Sequence, residues 1–381
     1  MQNSDAVVIG AGPAGLAAAA CLIQRGRQPL VLERAGELGA SWRSHYERLH
    51  LHTVKTHSAL PGLPFPDSAP RYVSRQDVVD YLTAYAAHHR ITPRVGADVA
   101  SIVPRDGGWQ VPTSDGQRYV APAVVVATGA NNRPNRPEFN GQASFAGRIV
   151  HSGDYRNAAP FRGRRVLVVG MGNTGAEIAL DLAEQGATAA LSVRSPLNVV
   201  YRDVLGRPTQ LTSMALARLP DRWGDAIARW LCTVTVGDID RYGLQRSELS
   251  PLRQLREHGR TPVIDIGTLA RIKSGEIAVF PAIRRLVSGG AEFVDGRSAK
   301  FDAIVLATGY RAGVAALFPD SAVPVDASGL PTQLAGAGAL GGIFFVGFDV
   351  RQAGGLLRTI AGQALSVAER LGAAAAHPRT S

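Results

Sequence analysis

The chain has 381 residues, of which 45% are hydrophobic and 19% charged, and its formal net charge is +10. This composition can bury a large core, so it excludes an intrinsically disordered chain, a collagen-like fibre and a disulfide-stapled miniprotein. At roughly 150 residues per domain, the length predicts two domains. Arginines scattered over the whole chain carry nearly all of the positive charge. Because they form no basic run and no basic patch interleaved with aromatic residues, we expect no nucleic-acid partner.

Cysteine use and the N-terminal residues predict a cytoplasmic protein. The two cysteines, Cys21 and Cys232, are far apart and form no Cys-x-x-Cys pair, so we expect neither a redox-active dithiol nor a zinc site. The first five residues lack the charged region of a signal peptide. The most apolar run, residues 14–23, is about half the length needed to cross a bilayer. We therefore expect no membrane partner.

A first nucleotide-binding pattern opens the chain. The apolar run Ala6–Ile9 leads directly into a glycine loop and a helical stretch, and the next apolar run ends in Glu33. In such a Rossmann pattern Gly10 permits the tight turn, Gly12 lets the backbone approach a pyrophosphate, and Gly15 lets helix and strand pack closely. The terminal acid accepts hydrogen bonds from ribose hydroxyls. The predicted contacts of this first glycine loop and its strand end are Gly10, Ala11, Gly12, Pro13, Ala14, Gly15, Glu33 and Arg34.

The same pattern recurs in the middle of the chain, in a second glycine loop at residues 170–175. At the end of its second predicted strand, Val193 takes the place of Glu33, and Arg194 and Ser195 follow. A guanidinium and a hydroxyl without an acid suit a 2′-phosphate, so we expect NADPH rather than NADH. The alternative is that Arg194 is an ordinary surface arginine. The predicted contacts here are Gly170, Met171, Gly172, Asn173, Thr174, Gly175, Arg194 and Ser195.

Each pattern has a later apolar strand that ends in Ala-Thr-Gly, at residues 127–129 and 307–309. Small residues let the chain pass close to a bound nucleotide, so Thr128 and Gly129 join the predicted contacts of the first site. Two dinucleotide sites in one chain, the first bearing a ribose-binding acid, predict a flavin together with a nicotinamide. A dehydrogenase with a single cofactor would not need both sites.

These patterns predict an α/β fold with two Rossmann-like dinucleotide-binding domains, the second inserted into the first. We expect residues 1–159 and 301–381 to form a discontinuous FAD-binding domain. Residues 160–300 would form the NADPH-binding domain, with a helical or irregular insertion at about 196–260, where the periodicity is irregular.

Stretches outside the glycine loops carry a family resemblance. Residues 145–155 read FAGRIVHSGDY, residues 306–310 read LATGY and residues 40–43 read ASWR. The first is similar to the fingerprint FxGxxxHxxxY of the class B flavin-containing monooxygenases and the second to their ATGY element. Together with residues 263–275, the third resembles the YUCCA-type indole-3-pyruvate monooxygenases. The resemblance implies FAD contacts at Ser41 and Trp42 and a linker between the two domains whose fixed positions are Phe145, Gly147, His151 and Tyr155.

The resemblance implies an FAD-dependent monooxygenase that uses NADPH and O2, forms a C4a-peroxyflavin, and converts an aromatic 2-oxo acid to the decarboxylated acid. The cofactor carries this chemistry while the protein excludes water, so no nucleophilic serine or cysteine is required. Lys55 is a candidate for stabilising negative charge on the flavin or on a substrate carboxylate; the alternative is a lysine on a surface loop. Because His50, His52 and His57 lack an acid or cysteine partner nearby, we expect no metal site.

Other interpretations stay open at this point. A Baeyer–Villiger or N/S-oxygenating flavin monooxygenase would release an ester or an N- or S-oxide. An NADPH-dependent flavin reductase is disfavoured because no Cys-x-x-Cys is present to receive electrons. A redox-sensing binding protein would bind NADPH without turning over O2. The sequence leaves the oligomeric state open.

Overall fold

The computed structural model describes residues 2–376, which form two compact units. Of the described residues, the first unit contains 2–43, Thr53–Arg133 and 310–376. The second unit contains Ser44–His52 and Pro134–Gly309. The chain passes from one unit to the other within the strands His50–Val54 and Arg133–Pro134.

A parallel sheet lies at the centre of the first unit. In spatial order its strands are Ile343–Phe345, Val124–Val126, Ala6–Ile9 and Pro29–Leu32. They are almost continuously apolar because helices and loops cover both faces of a parallel sheet. The helix Pro13–Gln24 makes the crossover between its two neighbouring strands, and the helix Leu356–Ala376 packs against that helix.

A second sheet completes the core of the first unit. Its strands, in order, are Gln2–Asn3, Arg118–Ala121, Gly108–Pro112 and Val103–Arg105. Only the first pair of neighbours is parallel. The two sheets share one hydrophobic cluster, in which Val7, Trp109 and Phe345 are buried. The other elements of this unit are Ala40–Arg43, Lys55–His57, Tyr72–Ser74, Arg75–His88, Tyr310–Arg311, Val314–Leu317 and Gly338–Leu340.

The second unit repeats this plan with a five-stranded parallel sheet. In spatial order its strands are Arg148–His151, Ala303–Leu306, Arg165–Val169, Thr188–Ser192 and Ala278–Phe280. The helix Asn173–Glu184 makes the crossover between two of them. An antiparallel sheet follows, made of Ile283–Val287, Gly290–Phe293 and Ser298–Lys300.

The stretch expected to be helical or irregular, about 196–260, is mostly helical. Its helices are Thr209–Leu216, Asp221–Val236 and Pro251–His258, with short strands at Val199–Tyr201, Asp203–Val204 and Arg207–Pro208. The third helix begins where Ser250 Oγ accepts a hydrogen bond from Arg253 N at 3.0 Å and Pro251 occupies the first turn. Val199–Tyr201 pairs in parallel with Val263–Asp265, beyond which lies the helix Thr268–Lys273.

The boundaries of the compact units differ from the sequence division. Residues 134–159 and 301–309 lie in the second unit, whereas the division at 159 and 301 assigns them to the FAD-binding domain. The reason is strand pairing, because Arg148–His151 pairs in register with Ala303–Leu306 and forms the edge of the second parallel sheet. Strand pairing defines the units but not the nucleotide that each unit binds.

Candidate functional site

The first glycine loop has a backbone that excludes side chains at two positions. Gly10 has φ of +107°, and a Cβ atom there would lie 2.6 Å from Ala127 O. A Cβ atom at Gly15 would lie 1.8 Å from Gly10 O. At Gly12, in contrast, a Cβ atom would meet no atom within 4 Å. The loop therefore has an open face at Gly12, next to the start of a helix whose first N–H groups have no partner within the helix.

Glu33 fixes the edge of this loop. Its Oε2 accepts a hydrogen bond from Ala11 N at 2.7 Å, and its Oε1 accepts one from Ala35 N at 2.9 Å. A carboxylate has about four acceptor positions, so these two bonds leave capacity for further donors. The neighbouring Arg34 is exposed and donates to Asn132 Oδ1 at 3.3 Å.

Ser41 and Trp42 lie beside the first glycine loop in the structure. Gly39 N donates to Ala11 O at 3.0 Å, and Trp42 N donates to Gly39 O at 2.9 Å, which begins the short helix Ala40–Arg43. Trp42 is half-buried and Ser41 is exposed. The sequence-predicted contacts of the first site are thus brought together within one unit.

The two Ala-Thr-Gly motifs differ at the threonine hydroxyl. Thr128 Oγ1 is buried, and within residues 2–376 it has no hydrogen-bond partner. Thr308 Oγ1 donates to the backbone O of Asn135. A buried hydroxyl without a partner costs about 1–3 kcal/mol. Thr128 Oγ1 therefore needs a partner that the described residues do not supply.

The second glycine loop repeats the geometry of the first. Gly170 has φ of +101°, and a Cβ atom there would lie 2.6 Å from Ala307 O. A Cβ atom at Gly175 would lie 2.0 Å from Gly170 O, and one at Gly172 would meet no atom within 4 Å. Gly170 N donates to Ser192 O at 2.9 Å, so the second strand closes this loop as well.

The side chains around the second loop are arranged differently. Arg194 and Ser195 are exposed, and Arg194 forms no hydrogen bond or ion pair with any residue that the structure describes. Val193 N donates to Phe280 O at 2.8 Å. Asn173 Oδ1 accepts a hydrogen bond from Ile264 N at 2.7 Å, so one acceptor of this predicted contact is already engaged within the second unit. Arg194 is thus a cation without a partner among residues 2–376.

A buried acid on the second crossover helix is a feature that the sequence interpretation missed. Glu177 is buried, and its Oε1 lies 2.8 Å from His52 Nε2. Burial and the charge of Glu177 raise the pKa of the nearby Tyr46 well above its ordinary value. The expectation that His52 lacks an acid partner is therefore wrong: Glu177, 125 positions away, lies within hydrogen-bonding distance. Because the two residues are far apart in the sequence, no local pattern indicates this pair.

Two further acids on this helix hold the same segment. Arg48 lies 2.8 Å from Glu184 and 3.6 Å from Asp181. Tyr155 OH donates to Asp181 Oδ2 at 2.5 Å, and burial raises the pKa of Tyr155 above its ordinary value. The acids at positions 177, 181 and 184 follow helical spacing. This spacing was the signal in the sequence that could have indicated a polar face on the helix. We call Ser44–His52 and these three acids the clasp.

The fingerprint residues belong to the second unit rather than to a free linker. Phe145 is buried, and a Cβ atom at Gly147 would lie 2.5 Å from Asp302 O. His151 Nδ1 accepts from Gly153 N at 3.0 Å, and its Nε2 lies 3.2 Å from Gly309 O. Burial lowers the pKa of His151, which favours a neutral ring that orients the second Ala-Thr-Gly motif.

Lys55 is held by a neighbouring loop of the first unit. Its Nζ donates to the carbonyl oxygens of Pro66 at 3.3 Å, Asp67 at 2.7 Å and Ala69 at 2.7 Å. An ammonium has three donors, and these three bonds use all of them. This arrangement favours a loop-closing lysine over one that stabilises a negative charge on flavin or substrate.

The structure provides further limits on the chemistry. No group of three or more histidine, cysteine, aspartate or glutamate residues in the described part of the chain could hold a metal ion. Cys21 and Cys232 are both buried and free. Burial raises the pKa of Cys21 to about 11 and also raises that of Cys232, so neither is a ready thiolate. Within residues 2–376, no helix has the length and apolar character that a membrane span needs.

Comparison with known proteins supplies a family and a fold. Residues 7–205 match the family model described as pyridine nucleotide-disulphide oxidoreductase. The chain is 40% identical over 373 residues to the indole-3-pyruvate monooxygenase YUCCA1 of Oryza sativa subsp. japonica, a match that covers 96% of this chain and 90% of that protein.

Solved structures share the fold. A flavin-containing monooxygenase from Stenotrophomonas maltophilia matches with a TM-score of 0.76 and 24% identity, over 98% of this chain and 100% of that one. Bacillithiol disulfide reductase from Bacillus cereus matches with a TM-score of 0.70 and 18% identity, over 98% and 99%. The predicted α/β class with two dinucleotide-binding domains is confirmed. Because the fold serves both proteins, it does not by itself decide the chemistry.

Proposed function

Because the chain belongs to the YUCCA-type flavin-containing monooxygenase family, we propose that it oxygenates an aromatic 2-oxo acid of the indole-3-pyruvate kind, using FAD and NADPH. The observation that carries this proposal is the identity of 40% to a relative over 96% of the chain. The two differently equipped glycine loops support it, since this reaction uses two different dinucleotides.

The first unit has the features that FAD requires, and we assign FAD to it. The open face at Gly12 would admit the diphosphate, the Glu33 carboxylate would accept from ribose hydroxyls, and Thr128 Oγ1 would gain a partner. Ser41 and Trp42 lie next to this loop through the Gly39 turn. When bound, FAD supplies the redox chemistry that accepts two electrons and passes them to oxygen.

We assign NADPH, the source of those electrons, to the second unit. The open face at Gly172 would admit its diphosphate. Arg194, which is exposed and has no partner among the described residues, and the hydroxyl of Ser195 would bind the 2′-phosphate, because a guanidinium forms strong charge-assisted bonds to phosphate oxygens. The protein's own contribution is to orient both nucleotides and to exclude water from the reacting atoms.

The substrate proposal is tested by a balanced product analysis. The overall reaction converts the 2-oxo acid, O2, NADPH and a proton into the shortened acid, CO2, NADP⁺ and water. With indole-3-pyruvate we expect indole-3-acetate and CO2 in equal amounts, each matched by the NADPH consumed. With isotopically labelled O2, one labelled atom enters the new carboxylate. Hydrogen peroxide equal to the NADPH consumed, with no oxygenated product, would instead establish a reductase or oxidase. An ester or an N- or S-oxide from other substrates would redirect the assignment within the family.

We further propose that the enzyme works in the cytoplasm on a small-molecule substrate, without nucleic acid. The two buried, unpaired cysteines are compatible with a reducing compartment. The scattered distribution of arginines supports the absence of a nucleic-acid surface.

A further inference from the structure

Ser152 is a buried serine that follows the strand Arg148–His151 in the second unit. It is 4% exposed, and among residues 2–376 its Oγ has no hydrogen-bond partner. A buried hydroxyl without a hydrogen bond destabilises a folded protein. Ser152 is also not one of the fixed positions of the family fingerprint. Neither stability nor the family resemblance therefore accounts for a serine at this place.

The equivalent position in the first unit is apolar. Ser152 N donates to Leu306 O at 2.9 Å, and in the first unit Val346 N donates to Val126 O at 3.0 Å. Both residues follow the strand that lies next to an Ala-Thr-Gly strand, and both are followed by glycine. Val346 is fully buried. Since the shared backbone plan accepts valine here, the hydroxyl is an addition that only the second unit carries.

The Ser152 side chain lies on the face of the sheet that the second crossover helix covers. Val150, two residues earlier, packs in one hydrophobic cluster with Val168 of the sheet and Ala176 of that helix. Side chains two residues apart along a strand lie on the same face. The N–H of Ser152 still bonds to Leu306 O, so the alternation extends to Ser152. Ser152 and the start of the helix are thus on one face, at the carboxyl edge of the sheet.

This edge places Ser152 and Arg194 on opposite sides of the second glycine loop. The strands in spatial order lead to Ser152, to the second Ala-Thr-Gly motif, to the glycine loop and to Arg194. The motif touches the loop, because a Cβ atom at Gly170 would lie 2.6 Å from Ala307 O. Neighbouring strands are about 4.8 Å apart, so Ser152 is roughly 10 Å from the loop. A dinucleotide bound by its diphosphate at the loop extends along this edge in both directions.

We propose that the Ser152 hydroxyl binds the nicotinamide riboside half of NADPH. This inference rests on the proposed assignment of NADPH to the second unit: with the 2′-phosphate at Arg194 and the diphosphate at the loop, the nicotinamide half extends toward Ser152. A serine hydroxyl both donates and accepts, so it can bond to the carboxamide or to a ribose hydroxyl. Rotation about the Cα–Cβ bond to another staggered position would turn it toward the ligand.

Ser152 and Arg194 would therefore make different contributions to cofactor binding. The nicotinamide half is the same in NADH and NADPH, so Ser152 would strengthen the binding of both. Arg194 would strengthen only the binding of NADPH, through the 2′-phosphate. Variants at the two positions should separate the two halves of the cofactor.

The test measures each half separately on the FAD-loaded full-length enzyme. Adenosine 2′,5′-bisphosphate probes the adenosine half by competition with NADPH, and reduced nicotinamide mononucleotide probes the other half by anaerobic bleaching of the flavin. Ser152→Ala should need about fivefold more NADPH, NADH or reduced mononucleotide for half-maximal bleaching, because one hydrogen bond is lost. Its affinity for the bisphosphate should stay within about twofold. Arg194→Ala should show the reverse: weaker binding of the bisphosphate and an unchanged response to the reduced mononucleotide.

Two variants of similar shape separate the hydroxyl from packing. Ser152→Thr keeps a hydroxyl, whereas Ser152→Val replaces it by a methyl group, and the first unit carries valine at this place. Ser152→Thr should keep the affinity for NADPH within about twofold, and Ser152→Val should lose about fivefold.

A buried serine elsewhere in the second unit supplies the control for stability. Ser250 is 2% exposed, and its Oγ donates to Asp225 at 2.7 Å. Ser250→Ala should lower the thermal midpoint by about 2–4 °C and leave the affinity for NADPH unchanged. Ser152→Ala should not lower the thermal midpoint of the enzyme without NADPH, because its hydroxyl has no partner among the described residues.

The outcomes distinguish this inference from the assignment on which it rests. An unchanged response of Ser152→Ala to NADPH and to the reduced mononucleotide would overturn the role of Ser152. So would equal weakening by Ser152→Thr and Ser152→Val, since packing would then explain the effect. Binding of the bisphosphate that Arg194→Ala leaves unchanged would instead overturn the assignment of the 2′-phosphate to Arg194, and the inference about Ser152 with it.

Discussion

The first and second units each have a glycine loop followed by a crossover helix. They share one backbone geometry but carry two different sets of side chains. Gly10 and Gly170 have φ of +107° and +101°, and at both a Cβ atom would lie 2.6 Å from the alanine carbonyl of an Ala-Thr-Gly motif. At the strand end, however, Glu33 accepts hydrogen bonds from two backbone N–H groups, while Arg194 is exposed and has no partner in the described part of the chain. Backbone sterics therefore fix the shape of both glycine loops, and our proposal assigns the choice of nucleotide to the residues at the strand ends.

The helices that follow the loops differ in the same way. The first helix carries Ala17 and Cys21 where the second carries Glu177 and Asp181. The first can therefore pack against the helix Leu356–Ala376, whereas the second needs polar partners, which His52 and Tyr155 supply. A buried acid is tolerated only when it is hydrogen-bonded.

The largest effect is expected from breaking the clasp, which only the second unit has. Glu177→Ala removes the buried member of the pair and leaves Nε2 of the partly buried His52 without its acceptor, so we expect the second unit to lose about 3 kcal/mol of stability. A lowered thermal midpoint measures this loss. Glu184→Ala is the matched control on the same helix, because its pair with Arg48 is partly exposed and should contribute less than about 1 kcal/mol. Equal effects of the two variants on the thermal midpoint would show that the pair of His52 and Glu177 does not stabilise the unit as a buried pair.

The next prediction concerns the strand ends. Arg194→Ala should weaken NADPH binding on the order of 10- to 100-fold while changing NADH binding little, because only NADPH has the 2′-phosphate. Arg34, its counterpart in the first unit, supplies the control: Arg34→Ala should leave NADPH affinity unchanged. Affinities are measured by anaerobic titration of the FAD-loaded enzyme. Equal weakening for NADH and NADPH would reassign Arg194 to a surface role.

A smaller effect on stability is expected when the pH is lowered. Burial lowers the pKa of His151 from its ordinary 6.5, so below that pH the unfolded chain takes up the proton more readily than the folded one. The stabilising contribution is complete above pH 6.5 and is lost as the pH falls below it. His151→Gln should therefore flatten the decline of the thermal midpoint below pH 6.5. The slope should not vanish, because burial also lowers the pKa of His89 in the first unit. An unchanged pH profile would contradict the buried neutral ring.

The smallest effect is expected at Lys55. Its three bonds to backbone carbonyls imply that Lys55→Met costs about 1 kcal/mol of stability in the first unit. Oxygenation and substrate affinity should be unchanged, since no donor remains for a substrate or flavin. A tenfold fall in kcat/KM at an unchanged thermal midpoint would restore the hypothesis of charge stabilisation.

Sequence patterns predicted the parts of the molecule that depend on neighbouring residues. Each glycine loop, its strand and its helix are contiguous, so steric rules applied to Gly10 or Gly170 sufficed. The clasp joins His52 to Glu177 across 125 positions, and no local pattern encodes such a contact. The domain boundary was likewise set by a distant pairing, that of Arg148–His151 with Ala303–Leu306. The sequence made Lys55 a candidate for charge stabilisation, but only the fold shows that three backbone carbonyl oxygens accept its hydrogen bonds.

The most direct measurement on the central assignment compares Gly12→Ala with Gly172→Ala. Both glycines have ordinary φ values, −84° and −87°, and open space where a methyl group would project, so both variants should fold. Each methyl group would obstruct the diphosphate, at a cost of about 1–3 kcal/mol in cofactor binding. Gly12→Ala should be purified depleted of FAD. Gly172→Ala should keep its FAD but need at least about tenfold more NADPH for anaerobic bleaching of the flavin. Loss of FAD from Gly172→Ala, with normal FAD content in Gly12→Ala, would reverse the assignment of the two units.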